Sequence, residues 1–133
     1  MIRTLVFGAP GAGKTTWARN NLGAGLMYDM DLIAAALTGG WGDKTANEDA
    51  REVANDLLIP VINAARWCYT DLTVIRAAPT VEEIQALQPD LIVWIRSEPA
   101  EARIRNWTSK RLLPTAEMIR MMGYIVEEVT GRV

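Results

Sequence analysis

The sequence contains no histidine and a single cysteine, Cys68. Without histidine, the chain cannot build a histidine-based catalytic triad, a histidine proton relay or the usual zinc sites. One cysteine excludes an internal disulfide framework and suits a reducing compartment. No apolar run approaches the roughly 20 residues that cross a bilayer, and the apolar run near the start breaks at Gly8, too early for a signal peptide. We therefore expect a cytoplasmic protein with no membrane partner, whose acid–base chemistry falls to Asp, Glu, Lys, Tyr or Cys.

Charge bias is also slight, with a formal net charge of −2 over 133 residues. A globally basic nucleic-acid binder is therefore not expected, although a local basic patch remains compatible with this balance. Half of the residues are hydrophobic, which argues against disorder. This length predicts a single domain that spans residues 1–133 and has one core.

Predicted strands and helices alternate along the chain, and the strands are apolar throughout. This pattern is typical of a parallel sheet covered by helices on both faces, an α/β fold with three layers. A long helical stretch over 47–69 contains Pro60, which is expected to kink or divide it. Thr80 and Glu83 predict a capping box. We predict four strands, at 2–7, 26–28, 72–75 and 91–95, and a last helix over 115–129.

The most specific motif is the stretch Gly8-Ala-Pro-Gly-Ala-Gly-Lys-Thr15, here called the phosphate loop. It fits the pattern G-x-x-x-x-G-K-[ST] at every fixed position, and it follows a predicted strand and precedes a predicted helix. Backbone N–H groups of such a loop and the start of the next helix attract phosphate oxygens. Lys14 is expected to reach the terminal phosphates, and the Thr15 hydroxyl to hold Mg²⁺. The predicted nucleotide-binding residues are Gly8, Gly11, Ala12, Gly13, Lys14, Thr15 and Thr16.

Two carboxylates, Asp29 and Asp31, follow the second predicted strand. Ligands of parallel α/β sheets bind at the carboxyl ends of strands, where the phosphate loop also lies. We favour Asp31, with Asp29 as the second choice, as the base that takes the proton of an attacking hydroxyl or as the group that binds the acceptor. Asp29 is also expected to be a metal-binding partner of Thr15. Either carboxylate could instead cap the helix predicted at Leu32, because Asp is a favoured N-cap residue.

Basic residues cluster between the fourth strand and the last helix. We interpret residues 105–114 as a lid, with Arg105 and Arg111 as catalytic groups that stabilise charge on a transferring phosphoryl group. Arg103 is predicted to be a surface residue. The alternative for the whole segment is a solvated helix face with Glu–Arg pairs.

These motifs resemble the small P-loop kinases of the nucleoside-monophosphate-kinase type, and among them the polynucleotide 5′-kinase domain of phages. The likeness lies in residues 8–19, in the Asp29-Met-Asp31 turn and in the basic segment before a Met-rich helix. It implies a P-loop NTPase fold with strand order 2-3-1-4, ATP and Mg²⁺ as cofactors, an Asp base and lid arginines. The chain departs from these kinases after the third strand, where Arg76-Ala-Ala-Pro79 stands in place of an acidic residue. The Asp-x-Asp turn also resembles shikimate-kinase-like enzymes.

Two classes of function are compatible with these features. The first is an ATP-dependent kinase whose acceptor is a nucleic-acid 5′ end or a small hydroxyl metabolite; a toxin-like kinase of nucleotide-sugar precursors would carry the same loop. The second is a non-catalytic or slowly hydrolysing nucleotide-binding module that acts through a partner, which the missing acidic residue after strand three would favour.

Overall fold

The computed structural model describes residues 1–21, 25–39, 48–103 and 111–131. Five strands lie within these residues: β1 (Arg3–Phe7), β2 (Leu26–Asp29), β3 (Leu72–Arg76), β4 (Leu91–Arg96) and β5 (Glu127–Thr130). Seven helices are seen in these ranges: α1 (Lys14–Asn21), α2 (Met30–Leu37), α3 (Glu48–Asp56), α4 (Leu58–Cys68), α5 (Val81–Leu87), α6 (Glu98–Arg103) and α7 (Leu113–Met121).

All strands lie in one parallel sheet of order β2-β3-β1-β4-β5. The predicted order of the first four strands is thereby confirmed. The register pairs Phe7 of β1 with Arg76 of β3 and with Trp94 of β4, and Asp29 of β2 with Ile75. The residues that follow these strands therefore meet at one edge of the sheet, and the phosphate loop lies at its centre.

The predicted number of strands and the predicted last helix were wrong. Helix α7 ends at Met121, and Gly123 adopts a positive φ of 95° that an α-helix does not contain. The chain then extends, and β5 pairs with β4 so that Val93 faces Glu127. The apolar stripe read as one long helix thus belongs to a helix, a turn and an edge strand.

The long helical stretch is divided, as Pro60 predicted. The break lies at Leu57, between α3 and α4, and Pro60 is the third residue of α4. A proline is tolerated in the first turn of a helix, because the N–H groups there have no partner within the helix. The capping box of α5 is also confirmed, since the Thr80 hydroxyl accepts from Glu83 N–H and the Glu83 carboxylate from Thr80 N–H.

The core lies between the sheet and its helices and is built mainly from β1, β3 and β4. Its largest fully buried side chains include Trp94, Tyr28 and Phe7. The rings of Phe7 and Trp94 are stacked with centroids 5.6 Å apart, and the Arg96 guanidinium lies 4.0 Å from the Trp94 ring centroid. In the described ranges, no helix has the length and apolar character needed to cross a membrane.

Candidate functional site

The phosphate loop joins the buried strand β1 to helix α1 and is folded around two glycines with positive φ. Gly11 has φ 83° and Gly13 has φ 92°, a region that residues with a side chain rarely adopt. Ala12 N–H donates to Ala9 O at 3.0 Å, which closes the turn. The loop can therefore curl tightly enough for successive N–H groups to face a common centre, as an anion-binding nest requires.

Lys14 folds back over this loop. Its Nζ donates to Gly8 O at 2.9 Å and to Ala9 O at 3.0 Å. Burial lowers the pKa of Lys14 from 10.5 to about 8, and the negative charges of Asp29 and Asp31 oppose that shift. The ammonium is thus poorly solvated, and an anion placed in the loop would stabilise its charged form.

Thr15 and Asp29 form the next part of the site. The Thr15 hydroxyl donates to Asp29 Oδ2 at 2.5 Å. The other carboxylate oxygen, Oδ1, accepts from Asp31 N–H at 3.0 Å and from Leu32 N–H at 3.4 Å, which makes Asp29 the N-cap of α2. Of the two capping assignments left open above, the structure therefore selects Asp29. A hydroxyl beside a carboxylate is a suitable oxygen pair for Mg²⁺.

Asp31 lies in the first turn of α2 and lines the same cavity as the phosphate loop. This cavity has a volume of about 440 Å³, enough for part of a small ligand. The sheet edge, α2 and α3 contribute its walls. Its lining comprises Pro10, Gly11, Gly13, Lys14, Thr15, Thr16, Asp29, Met30, Asp31, Arg51, Ile75, Arg76 and Ala77.

Arg76, which stands where the kinase pattern has an acidic residue, makes polar contacts with two neighbouring helices. Its Nε lies 3.0 Å from Glu83 Oε2, and its Nη1 donates to Asn55 Oδ1 at 2.6 Å. Arg76 therefore ties β3 to α5 and α3 and has its charge balanced by Glu83. It forms part of the cavity wall without being a free cation.

Two further arginines lie in the cavity wall or beside the phosphate loop, and neither belongs to a sequence motif that predicts this position. Arg51 on α3 lines the cavity, and in the described part of the chain it has no ion pair or side-chain hydrogen bond. Arg103, predicted to be a surface residue, is exposed, yet a Cβ built on Gly11 would lie only 3.3 Å from its Nη2. The guanidinium of Arg103 thus lies beside the phosphate loop.

The structure does not place the two predicted lid arginines at the cavity. Arg105 and most of the lid segment lie outside the described residues. Arg111 is exposed just before α7, where its backbone carbonyl accepts from the Thr115 hydroxyl. Arg111 is not among the described residues that line the cavity.

No protein-family model matches the chain, and no curated protein matches it. Among solved structures, the chain is similar to one from the PezAT chromosomal toxin–antitoxin system of Streptococcus pneumoniae, with a TM-score of 0.62 and 16% sequence identity. The superposition covers 97% of this chain and 66% of that one, so the chain spans about two thirds of its neighbour's length.

This similarity concerns the fold. The predicted α/β class with a parallel sheet is confirmed, with β5 added at the edge of the four predicted strands. The site residues are identified from the contacts within this chain and not from the comparison.

Proposed function

We propose that this chain is an ATP-dependent phosphotransferase that moves the γ-phosphoryl group of ATP to a hydroxyl of an acceptor bound in the cavity. The observation that carries the proposal is the convergence of four groups at one sheet edge: the phosphate loop, the ammonium of Lys14, the Thr15–Asp29 pair and the carboxylate of Asp31. The first three suit a triphosphate with its metal. The fourth supplies a proton acceptor in a chain without histidine.

Each residue has a distinct task in this mechanism. The loop amides and Lys14 bind the phosphates and hold the γ-phosphoryl group in place. Thr15 and Asp29 would hold Mg²⁺, which when bound neutralises charge on the phosphate oxygens. In the described ranges, no group of three or more His, Cys, Asp or Glu side chains could hold an ion alone, so nucleotide oxygens and water would complete the coordination.

Phosphoryl transfer to the acceptor exchanges one bond at the γ-phosphorus for another. The acceptor hydroxyl oxygen forms a bond to the γ-phosphorus, its proton passes to Asp31, and the bond to the β–γ bridging oxygen breaks to release ADP. Arg103, which lies against Gly11, is placed to stabilise the charge that develops near the loop. The lid arginines Arg105 and Arg111 remain proposals for the same task.

The cavity also favours an acceptor that carries a negative charge. Arg51 lies in the wall formed by α3, away from the phosphate loop in sequence, and no described residue balances its charge. Glu83 already balances Arg76, so Arg51 is the arginine left for a phosphate or carboxylate of the acceptor. An acceptor of this kind includes sugar phosphates, nucleotide sugars and nucleic-acid 5′ ends.

A transfer assay with γ-labelled ATP tests the proposal. We expect label on a charged acceptor such as ribose 5-phosphate, a uridine-diphosphate sugar or a 5′-hydroxyl oligonucleotide, and little on uncharged ribose. The nucleotide sugar is included because its diphosphate carries the negative charge that Arg51 would bind. We expect Asp31→Asn to abolish transfer and to leave ATP affinity within about threefold, whereas Asp56→Asn, an exposed carboxylate on α3, should be neutral.

The role of Arg51 has its own test. Arg51→Gln should raise the KM for a charged acceptor and leave the ATP affinity unchanged, while Arg19→Gln on the exposed part of α1 should change neither. An enzyme that labels charged and uncharged acceptors equally well would contradict the preference.

A nucleotide-binding module that acts through a partner is the second candidate. The observation that favours it is Arg76, which occupies the end of β3 where an acidic residue would help to orient the metal. ATP binding with only slow hydrolysis against every acceptor would select the module. Absence of ATP binding would reject both functions.

A further inference from the structure

Gly131, the residue after β5, packs directly against the phosphate loop. Its N–H donates to Arg96 O at 2.6 Å. A Cβ built on Gly131 would overlap both Ala12 O and the Cγ2 atom of Ile95, and would lie 3.3 Å from Arg96 O. Gly131 is not among the glycines with positive φ, so its lack of a side chain is required by this contact and not by its backbone conformation.

The contact fixes the orientation of one peptide group in the loop. In a trans peptide the C=O and the following N–H point in opposite directions. Because Ala12 O faces Gly131, the N–H of Gly13 points to the other side. Gly13 lines the cavity, and within the described part of the chain its N–H donates no hydrogen bond. It is therefore a free donor on the side where an anion would bind.

We infer that Gly131 is a positioning residue for the phosphate loop: by supporting the Ala12–Gly13 peptide from behind, it holds the Gly13 N–H toward the bound phosphate. This inference rests on the proposed nucleotide binding. It also links the edge strand β5 to the loop, so that nucleotide affinity depends on how β5 is seated beside β4.

The test compares two glycine substitutions. Gly131→Ala should weaken binding of a non-hydrolysable ATP analogue with Mg²⁺ about tenfold, the effect of one lost hydrogen bond to a charged group. The matched control is Gly123→Ala, because Gly123 has φ 95° and open space within 4 Å of a built Cβ. The control strains the turn between α7 and β5 and leaves the contact between Gly131 and Ala12 in place, so we expect its dissociation constant to stay within about twofold of the wild-type value.

Calorimetric titration of the folded proteins, verified by circular dichroism at the titration temperature, gives the readout. A merely structural role would lower the melting temperature of Gly131→Ala and leave the affinity of the folded protein unchanged. That result would overturn the inference while the proposed function stood. A wild-type protein that does not bind the analogue would overturn both.

Hydrogen exchange on the wild-type protein keeps the inference testable if Gly131→Ala does not fold. Coupling between two sites is reciprocal. If nucleotide binding depends on the position of Gly131, then bound nucleotide must in turn stabilise Gly131 in that position. The reference is the amide of Leu72, whose N–H donates to Ile2 O at the opposite edge of the sheet. We expect a saturating concentration of the ATP analogue to slow exchange of the Gly131 amide at least about fivefold more than exchange of the Leu72 amide. Equal slowing of both amides would contradict the coupling.

Discussion

The buried ammonium of Lys14 makes the stability of the nucleotide-free protein depend on pH in a direction that is unusual for a charged residue. Its pKa is about 8 in the folded protein and 10.5 when the side chain is free in water. Above pH 8 the folded state therefore binds fewer protons than the unfolded state. The free energy of unfolding must then rise with pH until about 10.5, because deprotonation relieves the cost of burying the charge.

The expected size follows from the two pKa values. At pH 9 about nine folded molecules in ten carry a neutral Lys14, whereas the unfolded chain is still almost fully protonated, so between pH 7 and pH 9 the group should add about 1.3 kcal/mol to stability. Tyr28 does not interfere, because burial raises its pKa above the ordinary value of 10.

Urea unfolding of the wild-type protein and of Lys14→Met, followed by tryptophan fluorescence at pH 7, 8 and 9, isolates this contribution. The substitution keeps an unbranched side chain that is one atom shorter and removes the charge, so other titrating groups cancel in the difference between the two proteins. We expect the stability of the wild type relative to Lys14→Met to increase across this range. A difference that stays constant or decreases with pH would refute the reasoning about burial.

Three other expectations follow from single contacts. Arg103→Gln should lower the rate of phosphoryl transfer about tenfold to hundredfold with a smaller effect on ATP affinity in steady-state kinetics; an unchanged rate would remove Arg103 from the mechanism. Thr15→Val should weaken ATP binding when Mg²⁺ is present and have little effect when it is absent, and equal loss in both titrations would contradict a metal-binding role. Tyr28→Phe should cost about 1–2 kcal/mol in urea unfolding, because the Tyr28 hydroxyl donates to Ala54 O at 2.6 Å in a buried position. The matched control is Tyr69→Phe, at a residue that is 84% exposed, and similar losses in both variants would show that this buried bond contributes nothing.

Features of the site that depend on neighbours in sequence could be predicted, because local chemistry is sufficient to define them. The phosphate loop needs only its own glycines, lysine and threonine between a strand and a helix. The meeting of Asp29 with Thr15 could also be expected, since parallel strands bring their carboxyl ends to one edge.

The arginines and the last strand could not be predicted in the same way. Arg51 and Arg103 enter the site through the placement of α3 and α6, which no local pattern encodes. The segment after Met121 carries apolar residues at helical spacing. The local signal against a helix there is Gly123, which has a positive φ in the structure. Gly123 lies six residues before the predicted helix end at 129, so its position does not indicate a C-terminal cap. Pairing with β4 then decided the outcome.

The central position of β1 has a consequence for how the chain is made. Both of its neighbours, β3 and β4, come later in the sequence, and about 65 residues separate Phe7 from Leu72. At the usual pace of translation, the ribosome needs roughly 3 to 13 s to add that length. During this interval the apolar segment Leu5-Val6-Phe7 has no partner strand to pair with, so β1 cannot be buried in its sheet before β3 has been made.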